Sequence, residues 1–253
     1  MRGPARRLSH SLIGWLAWAG MANAAAPPSP APSNAPIGGL PAICSILAGD
    51  PLPKEAVLQR NPANGTVLQL RAADLSFALV DDPDFKAMQK RSDEAGIALC
   101  FLQAYGKLFR LDAPFNELRL VVADPEESGY AHVRLKQYYA NLPVRDGMIN
   151  VHLNPKRQVY LVEGRYYPTP SGLSTKPRLT LERATVAARD SLPLDPKAER
   201  RYRAQAAIYA GSGNRAVLAY RITVYKGMAD EWEIWIDANT GAVLEKLALV
   251  PKT

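Results

Sequence analysis

The sequence predicts an α+β protein built as two small helix-on-antiparallel-sheet units in tandem. Three observations carry this. Between 132 and 167, apolar residues recur at every second position, in runs separated by turn chemistry, the signature of an antiparallel meander. A helical stripe over 93–108 precedes that meander. A second helical stripe over 180–192 is followed by four more strand-like runs. Helices set apart from runs of strands in this way define the α+β plan.

The chain begins with a leader over 1–26. Arg2, Arg6 and Arg7 precede an apolar run from Leu12 to Met21, and Ala22-Asn23-Ala24 and Ala24-Ala25-Ala26 are alternative A-x-A cleavage sites. The run is shorter than the roughly 20 residues that a spanning helix needs. It therefore reads as a cleaved signal peptide. The expected product is secreted or periplasmic, with no membrane attachment after cleavage. Residues 27–40, which open PPSPAPSNAP, read as an extended Pro-rich linker.

The formal net charge is +7, and three of the basic residues lie in the leader. So mild an excess, without an Arg/Lys-rich helix or a stacking motif, argues against nucleic acid as a partner. Export gives meaning to the two cysteines, Cys44 and Cys100. An oxidising compartment permits a bridge between them, which would stabilise by roughly 4 kcal/mol in the chain-entropy model. Two buried free thiols are the alternative.

Residues 37–91 are interrupted by Pro51, Pro53 and Pro62. Short strands are expected at 66–70 (TVLQL) and 75–80 (LSFALV). Asn64-Gly65-Thr66 matches a glycosylation acceptor and more simply supplies a turn. In the helix over 93–108, Ile97, Phe101, Ala104 and Leu108 form the stripe, Cys100 lies beside it, and Ser92 or Asp93 can cap it. Strands are expected at about 117–123 and 130–139, joined by a turn over 124–129. The adjacent Glu126 and Glu127 of that turn face solvent rather than a shared cleft.

In the meander, Val133, Leu135 and Tyr139 share one face, and His132, Arg134, Lys136 and Tyr138 the other. Asn141-Leu142-Pro143 interrupts the run, and Asp146-Gly147 is a place for a kink. Ile149, Val151 and Leu153 then alternate with Asn150 and His152. A turn at 154–157 leads to a return strand with Val159, Leu161 and Arg165 on one face and Tyr160, Val162 and Tyr166 on the other.

Residues 168–177, PTPSGLSTKP, are the expected boundary between the units. The helix after it, capped by Thr180, carries the stripe Leu181, Ala184, Ala188 and Leu192, and Pro193 and Pro196 end it. Strands are expected at 205–210, 217–225, 231–237 and 242–249. Leu218, Tyr220, Ile222 and Val224 make one face, and Trp232, Ile234 and Ile236 make one face of the next strand. The loop 237–241 ends in Gly241, suited to positive φ. The run Ile149-x-Val151-x-Leu153-Asn154, turn, Val159 is echoed by Ile234-x-Ile236-x-x-Asn239, turn, Val243.

Two sets of residues resemble known families. His132, Val133, Arg134, Gln137, Tyr139, Leu142, Pro143, Val144, Gly147, Val151, His152, Leu153, Val159, Val162, Gly164, Tyr166 or Tyr167, and Pro168 follow the pattern of the fungalysin/thermolysin propeptide domain. Leu108, Phe109, Leu111, Pro114, Glu117, Leu118 and Leu120 match the segment that leads into it. Trp232, Ile236, Asp237, Ala238, Asn239, Thr240, Gly241 and Val243 resemble the end of a PepSY domain, and 218–225 its preceding strand. The resemblance assigns 41–169 to a propeptide domain with an N-terminal extension and 170–253 to a PepSY-like domain, both cystatin-like.

In that family the tandem precedes a zinc peptidase domain with His-Glu-x-x-His, two imidazoles one helical turn apart with Glu as base. This sequence has no such motif, and it stops about where such a domain would begin. Its histidines are His10, His132 and His152. His132 and His152 on strands, without cysteine or a nearby carboxylate, make a poor metal site. No phosphate loop or Gly-x-Ser-x-Gly elbow is present, and Cys44 has no base near it in sequence. The expectation is a non-enzyme with no cofactor and no metal.

The resemblance implies a protein partner, a thermolysin-like zinc metallopeptidase, which the chain would inhibit or help to fold. Contact would come from edge strands and exposed aromatics, with Tyr138, Tyr139, Tyr225 and Trp235 as candidates. Other readings stay open: a truncated zymogen portion, an exported protein-binding module without a peptidase partner, or a lipid or small-ligand binder that uses a concave sheet face.

Overall fold

Strand β5 (Leu142–Leu153) is the member that the rest of the protein is built on. The structure, a computed structural model, describes residues 44, 52–192, 201–211, 215–226 and 230–249. The leader, the Pro-rich linker, Pro193 and Pro196 lie outside the described residues.

The first sheet has the order β1 (Val57–Arg60), β2 (Val67–Arg71), β6 (Val159–Arg165), β5, β4 (Ala131–Tyr139), β3 (Leu118–Pro125), all antiparallel. The second has the order β7 (Arg201–Ala210), β8 (Ala216–Lys226), β9 (Asp230–Asp237), β10 (Val243–Ala248), also antiparallel. One parallel bridge, Val144 to Ile208, joins them. Residues 41–253 form one compact unit.

The alternation expected in the meander is present. Ala131, Val133, Leu135, Ile149, Val151 and Leu153 are all at or below 1 % exposure, while their neighbours are half-buried or exposed. They pack beneath α2 (Glu94–Ala104), whose residues 95–102 are all buried. Asp93 caps this helix by accepting from the Gly96 N–H. The expected helix to 108 is broken at Tyr105, and a short turn of helix, α3 (Gly106–Phe109), follows. Gly106 is needed there, since a Cβ would lie 2.8 Å from the Leu111 carbonyl that folds back on it. Pro114 then opens α4 (Pro114–Glu117). Glu117 accepts from the Ala113 N–H and from the Thr169 hydroxyl.

Cys44 and Cys100 are bonded, with their Cα atoms 5.2 Å apart. The bridge ties Cys44 to α2 at Cys100.

Several expectations are corrected. Residues 75–80 are not a strand. Asp74 accepts from the Ser76 N–H, and a 3-10 turn at Phe77–Leu79 follows, so the Asx turn wins over β-propensity. An additional helix, α1 (Pro83–Lys90), has Asp82 as its cap and Pro83 at its first position. The β4–β5 turn is Ala140–Asn141, both at positive φ, and Leu142 and Pro143 already pair with Tyr139 and Tyr138. Tyr160 is a bulge, so Val159 and Val162 both reach the core instead of lying on opposite faces. Asn64 is 4 % exposed and bonds Thr66 and the Tyr166 carbonyl, so Asn64-Gly65-Thr66 is a buried turn.

The kink expected at Asp146-Gly147 is a wide bulge. The register runs from Lys136–Met148 directly to Tyr138–Pro143, and Asp146 has φ 52°. This bulge turns Val144 away from β4 and toward Ile208.

Helix α5 (Leu181–Asp190) lies on the second sheet. Thr180 accepts from the Arg183 N–H. Ala184, Ala188 and Leu192 are buried against Leu218, Ile222, Val224, Ile234 and Ile236. Leu181 is 38 % exposed, a correction to the expected stripe. It occupies the first helical turn, where the stripe has not yet met the sheet.

Candidate functional site

The second sheet has one face under α5 and an opposite face that is partly covered, with Ala207, Ala219, Thr223, Glu233 and Trp235 buried on it. The alternation that sends Tyr220, Ile222 and Val224 inward sends Arg221, Thr223 and Tyr225 outward. Register then builds rows across that opposite face. Gln205 pairs with Arg221, Arg221 with Trp235, and Trp235 with Glu245. The bulge of β5 closes one end of this face, and a cleft of about 180 Å³ forms there. Lys136, Pro143, Val144, Arg145 and Asp146 come from the first sheet. Gln205, Ala207, Arg221, Glu233 and Trp235 come from the second.

Arg145 clasps the two sheets. Its guanidinium bonds the Glu245 carboxylate and lies 3.1 Å from Asp146. It also sits 5.0 Å from the Tyr209 ring centre and 5.5 Å from that of Trp235, within cation–π range. Glu233 is 7 % exposed yet fully engaged, accepting from Arg221 Nε at 2.5 Å and from the Trp235 indole N–H at 2.8 Å. Burial holds the Lys136 ammonium below the usual lysine range.

The four aromatic candidates do not form one patch. Trp235 is 3 % exposed among Ala207, Ala219, Tyr209 and Leu244, so it is a buried floor rather than an exposed contact. Tyr139 packs on the second core, and its hydroxyl reaches the Leu173 carbonyl at 3.4 Å. Tyr138 lies under the Arg119 guanidinium at 3.9 Å, on the outer side of the first sheet. Tyr225 is half-buried on the face of the second that points away from α5.

His132 and His152 are direct cross-strand neighbours. Their Nδ1 atoms are 2.6 Å apart, so one ring donates and the other accepts. His132 Nε2 contacts Glu126 at 2.6 Å, and His152 Nε2 lies 3.7 Å from Glu163. Carboxylates therefore do flank the pair, which linear spacing concealed. Burial, then the charge of His132, holds the His152 imidazole below its usual range. The hydrogen bond from His132, then that from Ser128, lowers the Glu126 carboxyl. Among the described residues, no group of three or more His, Cys, Asp or Glu is arranged to hold a metal ion. No described helix is long and apolar enough to cross a membrane.

Sequence reading missed Lys136, Arg145, Gln205, Arg221 and Glu233 as companions. The alternation of β8 was signal enough to put Arg221 on a polar face. The bulge that brings Lys136 and Arg145 to it has no such signal.

Comparison with known proteins follows this division of the chain. The chain is 26 % identical over 156 residues to bacillolysin of Bacillus subtilis (strain 168) and 24 % identical over 155 residues to that of Bacillus amyloliquefaciens. Each match covers 58 % of this chain and 30 % of the relative. An extracellular elastase of Staphylococcus epidermidis is 22 % identical over 141 residues, 54 % of this chain and 28 % of that one. The chain thus spans less than a third of the length of these relatives. Among solved structures, the Bacillus megaterium YpeB C-terminal domain is similar with a TM-score of 0.33 and 13 % identity, over 78 % of this chain and 83 % of that one. The family described as Fungalysin/Thermolysin Propeptide Motif matches residues 116–166, and that described as Peptidase propeptide and YPEB domain matches 181–247. The strands around β5 thus match the fungalysin/thermolysin propeptide motif, and α5 with the second sheet matches the PepSY domain.

Proposed function

We propose that this chain is an exported, non-catalytic partner of a thermolysin-like zinc metallopeptidase, which it inhibits, helps to fold, or both. It acts through shape: two cystatin-like modules in tandem, 41–169 and 170–253, present sheet faces and edges to the peptidase. The carrying observation is the order of a propeptide motif and a PepSY domain over 116–247. Inhibition of this kind needs a large complementary surface and no reactive group. Strand β3 supports the reading. Among the described residues it pairs only with β4, and Leu120, Val121 and Val122 are 39, 54 and 44 % exposed along it. An apolar edge of this type accepts an extended segment of another protein.

The test mixes the exported chain with thermolysin-like peptidases and follows peptide hydrolysis and the refolding yield of the denatured enzyme. Saturable inhibition or a raised yield at micromolar protein is expected. If every such enzyme is untouched in both assays, the reading falls.

A further inference from the structure

Among the described residues, the cleft between the two sheets holds one cation that its walls attract through space but do not bond. Arg145 is engaged by Glu245 and Asp146, and Arg221 by Glu233. Lys136 is different. Its strand runs between β3 and β5, which points the side chain out of the first sheet and into the cleft. No hydrogen bond or ion pair joins its ammonium to any described residue. Asp146 attracts it and Arg221 repels it through space, while burial takes away part of its water. A half-buried ammonium without a hydrogen-bonded partner is unfavourable on its own and rewards an anion that can reach it.

We propose that this cleft is a carboxylate-binding site, in which Lys136 receives the single negative charge of a peptide, from an acidic side chain or a C-terminal carboxyl group. The size fits. About 180 Å³ takes one side-chain-sized group and is small for a cofactor, whose pockets span roughly 300–1,000 Å³. The charge fits a monoanion. Both guanidiniums are already bound to carboxylates, and Asp146, Glu233 and Glu245 stand close enough to repel a phosphate dianion. The surroundings fit a peptide. Gln205, exposed on β7, sets a carboxamide at the rim, and Ala207 and Trp235 give an apolar floor for the chain that carries the carboxylate.

The site does not rest on the identity of the peptidase partner. Carboxylate binding with neither inhibition nor a raised refolding yield would leave it standing and remove only the reading above.

The probes are acetyl-glutamate amide against acetyl-glutamine amide, acetyl-alanine with a free carboxyl group against its amide, and inorganic phosphate. Each is titrated into the exported chain with tryptophan fluorescence as readout, since Trp235 borders the cleft. At least one carboxylate probe should saturate where its amide does not, and which one does identifies side chain or C-terminus. Lys136→Met should weaken that binding about tenfold or more, and Lys136→Arg should keep most of it. Thermal unfolding of both variants checks that they fold. No saturation with either carboxylate, equal binding of the amides, tighter binding of phosphate, or unchanged affinity in a folded Lys136→Met would each overturn the proposal.

Discussion

Helix α2 is buried without a break from Ala95 to Leu102, whereas α5 buries only Ala184 and Ala188 along its length. Both back an antiparallel sheet, yet they do it by opposite means. The first module encloses its helix. The Phe101 ring meets Tyr105 at 4.8 Å and Phe109 at 6.1 Å, and the disulfide at Cys100 closes the far side. The second leaves most of its helix wet and lays two methyl groups on the sheet, so little side-chain volume lies between them. The lesson is that one plan tolerates two packing regimes, one sensitive to lost volume and the other to added volume.

The largest expected effect tests the enclosed helix. Phe101→Ala removes a fully buried ring and should cost about 4 kcal/mol, read from denaturant unfolding. A loss below about 1 kcal/mol would mean that α2 relaxes into the gap and is not held on all sides.

Ala188→Leu should come next. It forces a larger side chain between α5 and the sheet and should cost about 2 kcal/mol. A neutral result would show that the helix can lift away, and the contrast between the modules would lose its physical basis. Val186, 46 % exposed, supplies the control, since Val186→Ala should leave stability unchanged within about 0.5 kcal/mol.

The smallest effect is one of pH and belongs to the first sheet alone. Burial and the neighbouring His132 hold His152 below its ordinary value of 6.5. The unfolded chain therefore binds more protons than the folded one just below that value. Stability is full above about pH 6.5 and falls as the pH drops through the lowered folded value. Glu163 attracts the charged His152 ring and softens the fall. Unfolding midpoints taken from neutral pH to about pH 5 should decline less steeply in His152→Gln than in the parent chain. Identical slopes would remove His152 from the account.

Legibility in the sequence tracked how local each cause was. The faces of β4 and β5 came from period two, because each alternates buried and wetter residues, whereas β8 and β9 also bury Ala219, Thr223, Glu233 and Trp235 on their second side. The cap at Asp93 and the loop ending in Gly241 were equally local. What failed was set by partners far along the chain. Val159 and Val162 share the core because β6 bulges against β5 at Tyr160. Trp235 reads as an exposed aromatic because nothing in its own strand tells that Tyr209 and Arg145 cover it. The cleft was illegible for the same reason, since Lys136 and Arg221 are strangers in sequence and meet only through the bulge of β5. The stretch 75–80 failed differently. Its apolar pattern fits a strand, but Asp74 offers the backbone a competing bond.

The bridge from Val144 to Ile208 has a consequence for the order of assembly. Among the described residues the first sheet takes no strand from beyond Arg165 except the bridge to β7, so its ladder is expected to form ahead of the second sheet. Val144, swung out by the kink, then waits as a seed on which the later sheet can be laid. Folding of this chain should run from its leading half to its trailing half, with the trailing half inheriting its alignment instead of searching for it.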